Sequence, residues 1–333
     1  MRYEEAGVHI EAKAEALKRA KEAIAATYTP RVLRGLGAFG GLFDAGGLKE
    51  MKEPVLVATT DGVGTKTLLA LQVGDVSGLG FDLVNHSVND LLAQGALPLF
   101  FMDYLAASRL EEEVLSALLT SLAEACKALG IPLLGGETAE MPGVYREGAW
   151  DVAGTLVGVV EKEEILGPER VQEGDLLLAL PSSGPHTNGY SLIRKVVEGL
   201  DLEAPIPELG ESLKEALLRP HRAYLKEFLT LREAGVRIHA IAHITGGGLP
   251  ENLPRALPQG LGAEIQKGSW PIPPIFPYLQ RLGNIPEEEM YRVFNMGLGL
   301  ILVLPEKEAQ RAQELVESFP VGRVVAGSGV RLV

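Results

Sequence analysis

The chain has 333 residues, 46% of them hydrophobic and 23% charged, with 31 Lys and Arg against 44 Asp and Glu for a net charge of −13. That length predicts two domains of ordinary size, each burying its own core. The acidic balance and the lack of any basic tract argue against a nucleic-acid partner, and without an apolar run of about 18 residues no membrane span is expected.

An anionic small substrate stays compatible with this charge, because a cleft can be locally positive on an acidic protein. The one cysteine, Cys126, rules out an intramolecular disulfide or a cysteine-rich zinc site. It falls inside a helical apolar pattern, which predicts a buried, inert thiol. Met1–Glu5 lacks the apolar core of a signal peptide, so the cytoplasm is the expected location.

In chain order, His9–Thr27 reads as a charged helix, followed by the glycine-rich loop Gly35–Phe43. Pro54–Thr60 reads as a strand ending at Asp61-Gly62-Val63-Gly64-Thr65-Lys66. A helix over Asp75–Gln94, a strand over Leu97–Ala107, a helix over Glu111–Leu129 and a short strand over Ile131–Leu134 follow. Gly135–Gly143 reads as a loop and Trp150–Val160 as a strand. The charged segment Glu161–Gly174, with Gly167-Pro168, predicts a linker, giving domains at 1–166 and 167–333.

In the second half, strands are expected at Asp175–Leu180, Ile238–Ile244, Gly297–Leu304, Val321–Ala326 and Val330–Val333. Helices are expected at Ser191–Val197, Ser212–Leu218, Arg222–Glu233 and Glu306–Glu317. Alternating strands and helices make this an α/β chain built in α+β layers.

The chemistry concentrates where apolar strands run into loops that combine glycine with a carboxylate, histidine or lysine: Asp61–Lys66, Gly135–Glu140, Ser182–Asn188 and His243–Gly248. Glycine lets backbone N–H groups approach phosphate oxygens. Asp61–Lys66 is not a Walker A loop, since no glycine directly precedes Lys66. It still offers a carboxylate for Mg²⁺, backbone donors and an ammonium; the competing interpretation is a tight turn with a surface lysine. On the 75–94 helix, Asp82, His86 and Asn89 share a face with Asp90 beside it. That stripe is either solvated or a metal-ligand set in which Asp61 joins Asp90 or Glu137. His186 and His243 sit beside glycines, placed for anion binding or acid–base work, whereas His9, His221 and His239 read as structural. Gly246–Gly248 reads as a phosphate-binding turn at a helix start. No Gly-x-Ser-x-Gly elbow or zinc spacing is present, and Gly35–Gly40 precedes the first strand instead of following one, which weakens a dinucleotide-fold interpretation.

Taken in order, eight stretches resemble the phosphoribosylformylglycinamidine cyclo-ligase family: Tyr3–Gly7, Gly35–Phe43 (GLGAFGGLF), Thr60–Lys66 (TDGVGTK), Val88–Gly95 (VNDLLAQG), Gly135–Gly143 (GGETAEMPG), Ser182–Leu192 (SSGPHTNGYSL), Ala242–Gly248 (AHITGGG) and Met290–Gly297 (MYRVFNMG). The resemblance implies a two-domain α/β fold whose N-terminal domains pair in a homodimer, with ATP near that interface. It implies ATP-dependent ring closure of formylglycinamidine ribonucleotide, a small-molecule ribonucleotide, with Mg²⁺. The nucleotide region then maps onto Gly35, Gly37, Gly40, Gly41, Asp61, Gly64, Thr65, Lys66, Asn89, Asp90, Gly136, Glu137 and Thr138, with Asp61, Asp90 and Glu137 as metal ligands. Substrate contacts map onto Ser183, Gly184, His186, Asn188, Thr245, Gly246 and Gly247, and catalytic roles onto Lys66, His186 and His243. A small-molecule kinase of the same superfamily and a silent ATP-binding scaffold are the rival readings.

Overall fold

The structure, a computed structural model, describes residues 10–333. Tyr3–Gly7 and His9 therefore lie outside the described residues. The chain divides into two compact units, one holding residues up to Leu91 with Leu97–Glu163, the other Leu92–Ala96 with Glu164–Val333.

The first unit runs α1 (Ile10–Ala25), β1 (Val32–Arg34), β2 (Leu42–Phe43), β3 (Pro54–Gly62), α2 (Lys66–Gln72), α3 (Leu79–Ala93), β4 (Leu97–Ala107), α4 (Glu112–Ala128), β5 (Leu133–Glu140) and β6 (Trp150–Glu161). Its sheet has the order β3-β6-β4-β5, with β5 parallel to β4 and the other pairs antiparallel. The strict alternation of buried and part-exposed residues along β6 shows why these residues make a strand: Val152, Leu156 and Val160 enter the core, while Thr155, Val157 and Val159 face the other way. The core face is covered by helices; Leu91 of α3 stands where a side chain at Gly158 would be. Cys126 is fully buried in α4, as its periodicity predicts, and burial pushes its thiol far above the ordinary cysteine range.

The second unit continues with β7 (Leu176–Pro181), α5 (Tyr190–Val196), β8 (Pro205–Ile206), β9 (Glu211–Ser212), α6 (Leu213–Leu218), α7 (Leu225–Glu233), β10 (Ala240–His243), α8 (Gly248–Asn252), β11 (Leu261–Ile265), α9 (Ile275–Gly283), α10 (Glu287–Val293), β12 (Leu298–Leu304), α11 (Glu306–Leu315), β13 (Phe319–Ala326) and β14 (Val330–Leu332). Its six-stranded sheet has the order β10-β12-β7-β13-β11-β14. Every residue of β12 is buried, as an unbroken apolar run in an inner strand requires. β7 and β10 both pair antiparallel with β12, so their C-terminal ends emerge on the same side of the sheet.

One expected element changes. Gly135–Glu140 is not a loop but most of β5, because pairing with β4 over Met102–Ala107 satisfies its backbone despite the two glycines. Lys66–Gln72, which carried no assignment, is a helix, as are Ile275–Gly283 and Glu287–Val293, and Leu261–Ile265 is a strand.

Candidate active site

In the first unit the end of β3 carries Asp61 toward α3. The sequence turns at Gly64, whose φ of 70° is left-handed, and starts α2 at Lys66. The stripe on α3 is not solvated: Asp82, His86 and Asn89 are all buried. His86 Nε2 lies 3.4 Å from Asp61 Oδ2 and 3.9 Å from Asp90 Oδ2, so two carboxylates from different elements converge on one point. Thr59 Oγ1 donates to Asp90 Oδ2 at 3.3 Å and fixes its orientation. Burial opposes charge on His86, but the carboxylates of Asp61, Asp90 and Asp82 outweigh it and raise its pKa.

Lys66 is placed differently from the surface lysine or phosphate ligand expected of it. It is completely buried, and its Nζ donates to Asp82 Oδ1 at 2.8 Å. Desolvation lowers its pKa, against the opposing pull of Asp82. The lysine thus ties α2, and with it the Asp61 turn, to the helix that carries His86 and Asp90.

Glu137 does not join the Asp61–Asp90 pair. Asp61 pairs with Gly154, Gly154 with Asp103, and Asp103 with Gly136, so the two carboxylates belong to opposite edges of the sheet, three strand spacings or about 14 Å apart. Glu137 instead accepts from Lys13 Nζ at 3.3 Å, and the same ammonium donates to Thr138 O at 2.6 Å. Here Lys13, Leu36, Asp103, Gly136, Glu137 and Thr138 help line a cavity of about 100 Å³. Glycine is required at 136 because a Cβ there would sit 2.3 Å from Asp103 Oδ1. Burial pushes the Asp103 carboxyl up to about 7, with the Glu137 charge adding to the rise and a hydrogen bond from its own backbone opposing it. The glycine loop that contains Gly35, Gly37, Gly40 and Gly41 is anchored where Leu36 N donates to Tyr28 OH at 2.7 Å, while Phe39 at its tip is fully exposed.

In the second unit, the loops after β7 and β10 meet. His186 is fully buried with a φ of 59°, a strained backbone for a histidine. Its Nε2 accepts from Ser183 N at 3.1 Å and faces Arg222 N at 3.5 Å. Two donors at Nε2 leave the ring proton on Nδ1. The ring of His221 stacks on His186 with centroids 3.9 Å apart. His221 Nε2 lies 3.1 Å from His243 Nε2, and its Nδ1 lies 3.4 Å from Thr187 Oγ1. Nothing local in the sequence singles out His221, since neither glycine nor a strand end adjoins it.

Asn188 lies next to Gly246: a Cβ on that glycine would be 3.6 Å from Asn188 Oδ1. Asn188 Nδ2 is buried and, among the described residues, makes no hydrogen bond, which leaves a donor in this loop with capacity for an acceptor. The glycine turn is set by Asn252, whose Nδ2 donates to the carbonyls of Thr245, Gly246 and Gly248 at 3.3, 3.0 and 2.8 Å. Thr245 Oγ1 bonds Asn252 Oδ1 at 3.2 Å. Gly184 is held by Asn295, whose Nδ2 donates to Gly184 O at 2.8 Å while Ser182 Oγ donates to Asn295 Oδ1 at 3.0 Å. The Met290–Gly297 stretch therefore serves as scaffold for the Ser182–Asn188 loop.

Together these loops and both folds define an AIR synthase related protein: residues 44–160 match the N-terminal domain model of that description and residues 172–333 its C-terminal domain model. A phosphoribosylformylglycinamidine cyclo-ligase of Nitrosococcus oceani is 47% identical over 328 residues, covering 97% of this chain and 91% of that protein. One of Geobacillus thermodenitrificans is 48% identical over 338 residues, covering 98% and 96%. The chain belongs to the phosphoribosylformylglycinamidine cyclo-ligase family. Its fold is also that of the thiamine-monophosphate kinase from Stenotrophomonas maltophilia K279a, with a TM-score of 0.68 at 21% identity over 95% of both chains. A hydrogenase maturation protein HypE, solved in complex with ATP, aligns at a TM-score of 0.63 and 17% identity over 91% of this chain and 84% of that one.

Proposed function

We propose that this chain catalyses the ATP-dependent ring closure of formylglycinamidine ribonucleotide to 5-aminoimidazole ribonucleotide, releasing ADP and phosphate, in de novo purine biosynthesis. The observation that carries this reading is the 47% identity to a cyclo-ligase over nearly the whole chain, which takes in both units and all their glycine loops. The formyl oxygen is a poor leaving group; phosphorylating it makes it a good one. An amidine nitrogen then attacks the formyl carbon, and the C–O bond breaks to release phosphate.

The residues of the first unit fit a divalent ion at Asp61 and Asp90, hard oxygen donors that converge on one point. Mg²⁺ bound there would neutralise charge on the triphosphate. Asn89 and the turn at Gly64 and Thr65 are assigned to the same triphosphate site, on the motifs that carry them. Gly35–Gly41, Gly136, Glu137 and Thr138 form a second nucleotide-facing group at the far sheet edge. Lys66 acts by holding the Asp61 turn rigid, so its role is orientation.

In the second unit, Asn188, Ser183, Gly184 and the Thr245–Gly247 turn would receive the anionic ribonucleotide, with the buried Nδ2 of Asn188 as a specific donor. His186 is held as an acceptor at Nε2 by backbone donors, which suits it to fixing the loop; His243 is the better placed of the two to move a proton.

The sheet of the first unit also supports a homodimer. Opposite its helical face stand Leu56, 63% exposed, and Met102, 38% exposed, with Thr60 and Thr155 bonded at 2.8 Å between them. Among the described residues, Phe43 covers part of this face, its ring 5.3 Å from that of Phe100. A second copy of the same sheet suits such an apolar, self-complementary surface. Among the described residues no helix is long and apolar enough to cross a membrane, which agrees with a cytoplasmic enzyme.

The test is direct. Purified protein with Mg·ATP and formylglycinamidine ribonucleotide should form aminoimidazole ribonucleotide, ADP and phosphate in equal amounts. ATP consumption without ring closure, or a phosphoryl group retained on the product, would refute the reading.

A further inference from the structure

We infer that His221 is a positioning residue for His243, fixing which nitrogen of that imidazole carries its proton. The inference rests on the placement of His243 at the reacting end of the second unit. Three observations support it. His221 is 1% exposed and reaches His243 through Nε2 on both sides, at 3.1 Å, with the ring planes 62° apart. A contact of that length between two imidazole nitrogens is an N–H···N hydrogen bond and holds one proton. Two protons would clash and none would set lone pair against lone pair. The tautomer of one ring therefore dictates that of the other.

The second observation is that His221 has little freedom to turn. Its ring lies 22° from parallel with His186 at 3.9 Å, and His186 is itself pinned by the backbone N–H of Ser183. Thirdly, the hydroxyl of Thr187 lies 3.4 Å from His221 Nδ1, so a ring flip would lose a polar neighbour at each nitrogen. The stack, the hydroxyl and the Nε2 contact together hold His221 as a fixed wedge against His243 at the end of β10. This is the logic by which a second group orients a catalytic imidazole without touching substrate.

The test uses the full chain labelled with [¹⁵N]histidine. Wild type should show one Nε2 of protonated type and one of unprotonated type, joined by scalar coupling across the hydrogen bond. His221→Phe keeps a stackable ring but removes the bond; His221→Gln restores a side-chain amide able to bond His243. His221→Phe should lose the coupling and broaden His243 into a mixture of tautomers. Its kcat should fall about tenfold or more, with KM for both substrates within about twofold; His221→Gln should recover part of kcat. Because the coupling is read in wild type, the inference stays falsifiable even if a variant fails to fold. Absence of that coupling, or an unchanged kcat in His221→Phe alongside a large loss in His243→Gln, would overturn the inference alone. A His243→Gln enzyme with full kcat would instead remove His243 from the reaction, and with it the premise taken from the proposed function.

Discussion

Replacing Lys66 by Met should unfold the first unit far more readily than its chemistry would suggest for one lysine. Lys66 and Asp82 are both 0% exposed and bonded at 2.8 Å, so each compensates a charge that has left water. Removing one partner takes away the 2.8 Å contact that compensates the other buried charge, a loss of about 3–5 kcal/mol. Replacing both, as in Lys66→Met with Asp82→Leu, removes both buried charges and should return stability to within about 1 kcal/mol of wild type or above it. The chain contains two tryptophans, Trp150 in the first unit and Trp270 in the second, both buried. In a Trp270→Phe background, fluorescence during urea unfolding reports the first unit alone. With a slope of about 2 kcal/mol/M, each single variant should shift the midpoint down by about 2 M, and the double variant should restore it. Equal midpoints for wild type and Lys66→Met would refute the strut, and so would a double variant as unstable as the singles.

Asp103 carries a pH dependence. Its folded pKa, pushed up to about 7, lies above the ordinary value of 3.8, so between those values the folded state binds more protons than the unfolded state. Stability of the first unit should therefore fall as pH rises from about 4 to about 7, by up to about 4 kcal/mol, and stay level above; Asp103→Asn should flatten that slope in urea titrations at stepped pH. Gly136→Ala should destabilise the same unit by about 1–3 kcal/mol, because its Cβ would overlap the Asp103 carboxyl, and a midpoint equal to wild type would contradict the packing. Asn188→Ala should raise KM for the ribonucleotide by about tenfold, the loss of a hydrogen bond to a charged group, and leave KM for ATP unmoved.

Strong periodicity made most of the fold legible. The strand at Leu97–Ala107 is found at its expected bounds, and the helices at Glu112–Ala128 and Leu213–Leu218 lie within one residue of theirs. β5 was hidden because its glycines mimic a loop, and only pairing with β4 makes it a strand. α9 buries Ile275, Phe276 and Leu279 on one face, but Pro274 and Pro277 mask its helical signal in the sequence. At the site, the glycine-carboxylate loop announced Asp61, and the polar stripe on α3 announced Asp82, His86 and Asp90. What no local pattern could tell was direction: whether Lys66 turns inward to Asp82, or on which sheet edge Glu137 falls. His221 owes its place to a fold that brings Pro220–Arg222 against the Ser182–Asn188 loop, a contact between residues distant in sequence. Asp103 had left a trace, a single charge inside an apolar strand.

On the proposed reading, Asp61 and Asp90 together hold the divalent ion that accompanies the triphosphate. Calorimetric titration of wild type, Asp61→Asn and Asp90→Asn with a non-hydrolysable ATP analogue, with and without Mg²⁺, measures it. Each variant should keep its fold yet lose Mg²⁺-dependent affinity by about tenfold or more, with little change when Mg²⁺ is absent. Wild-type affinity in both variants at saturating Mg²⁺ would contradict the account.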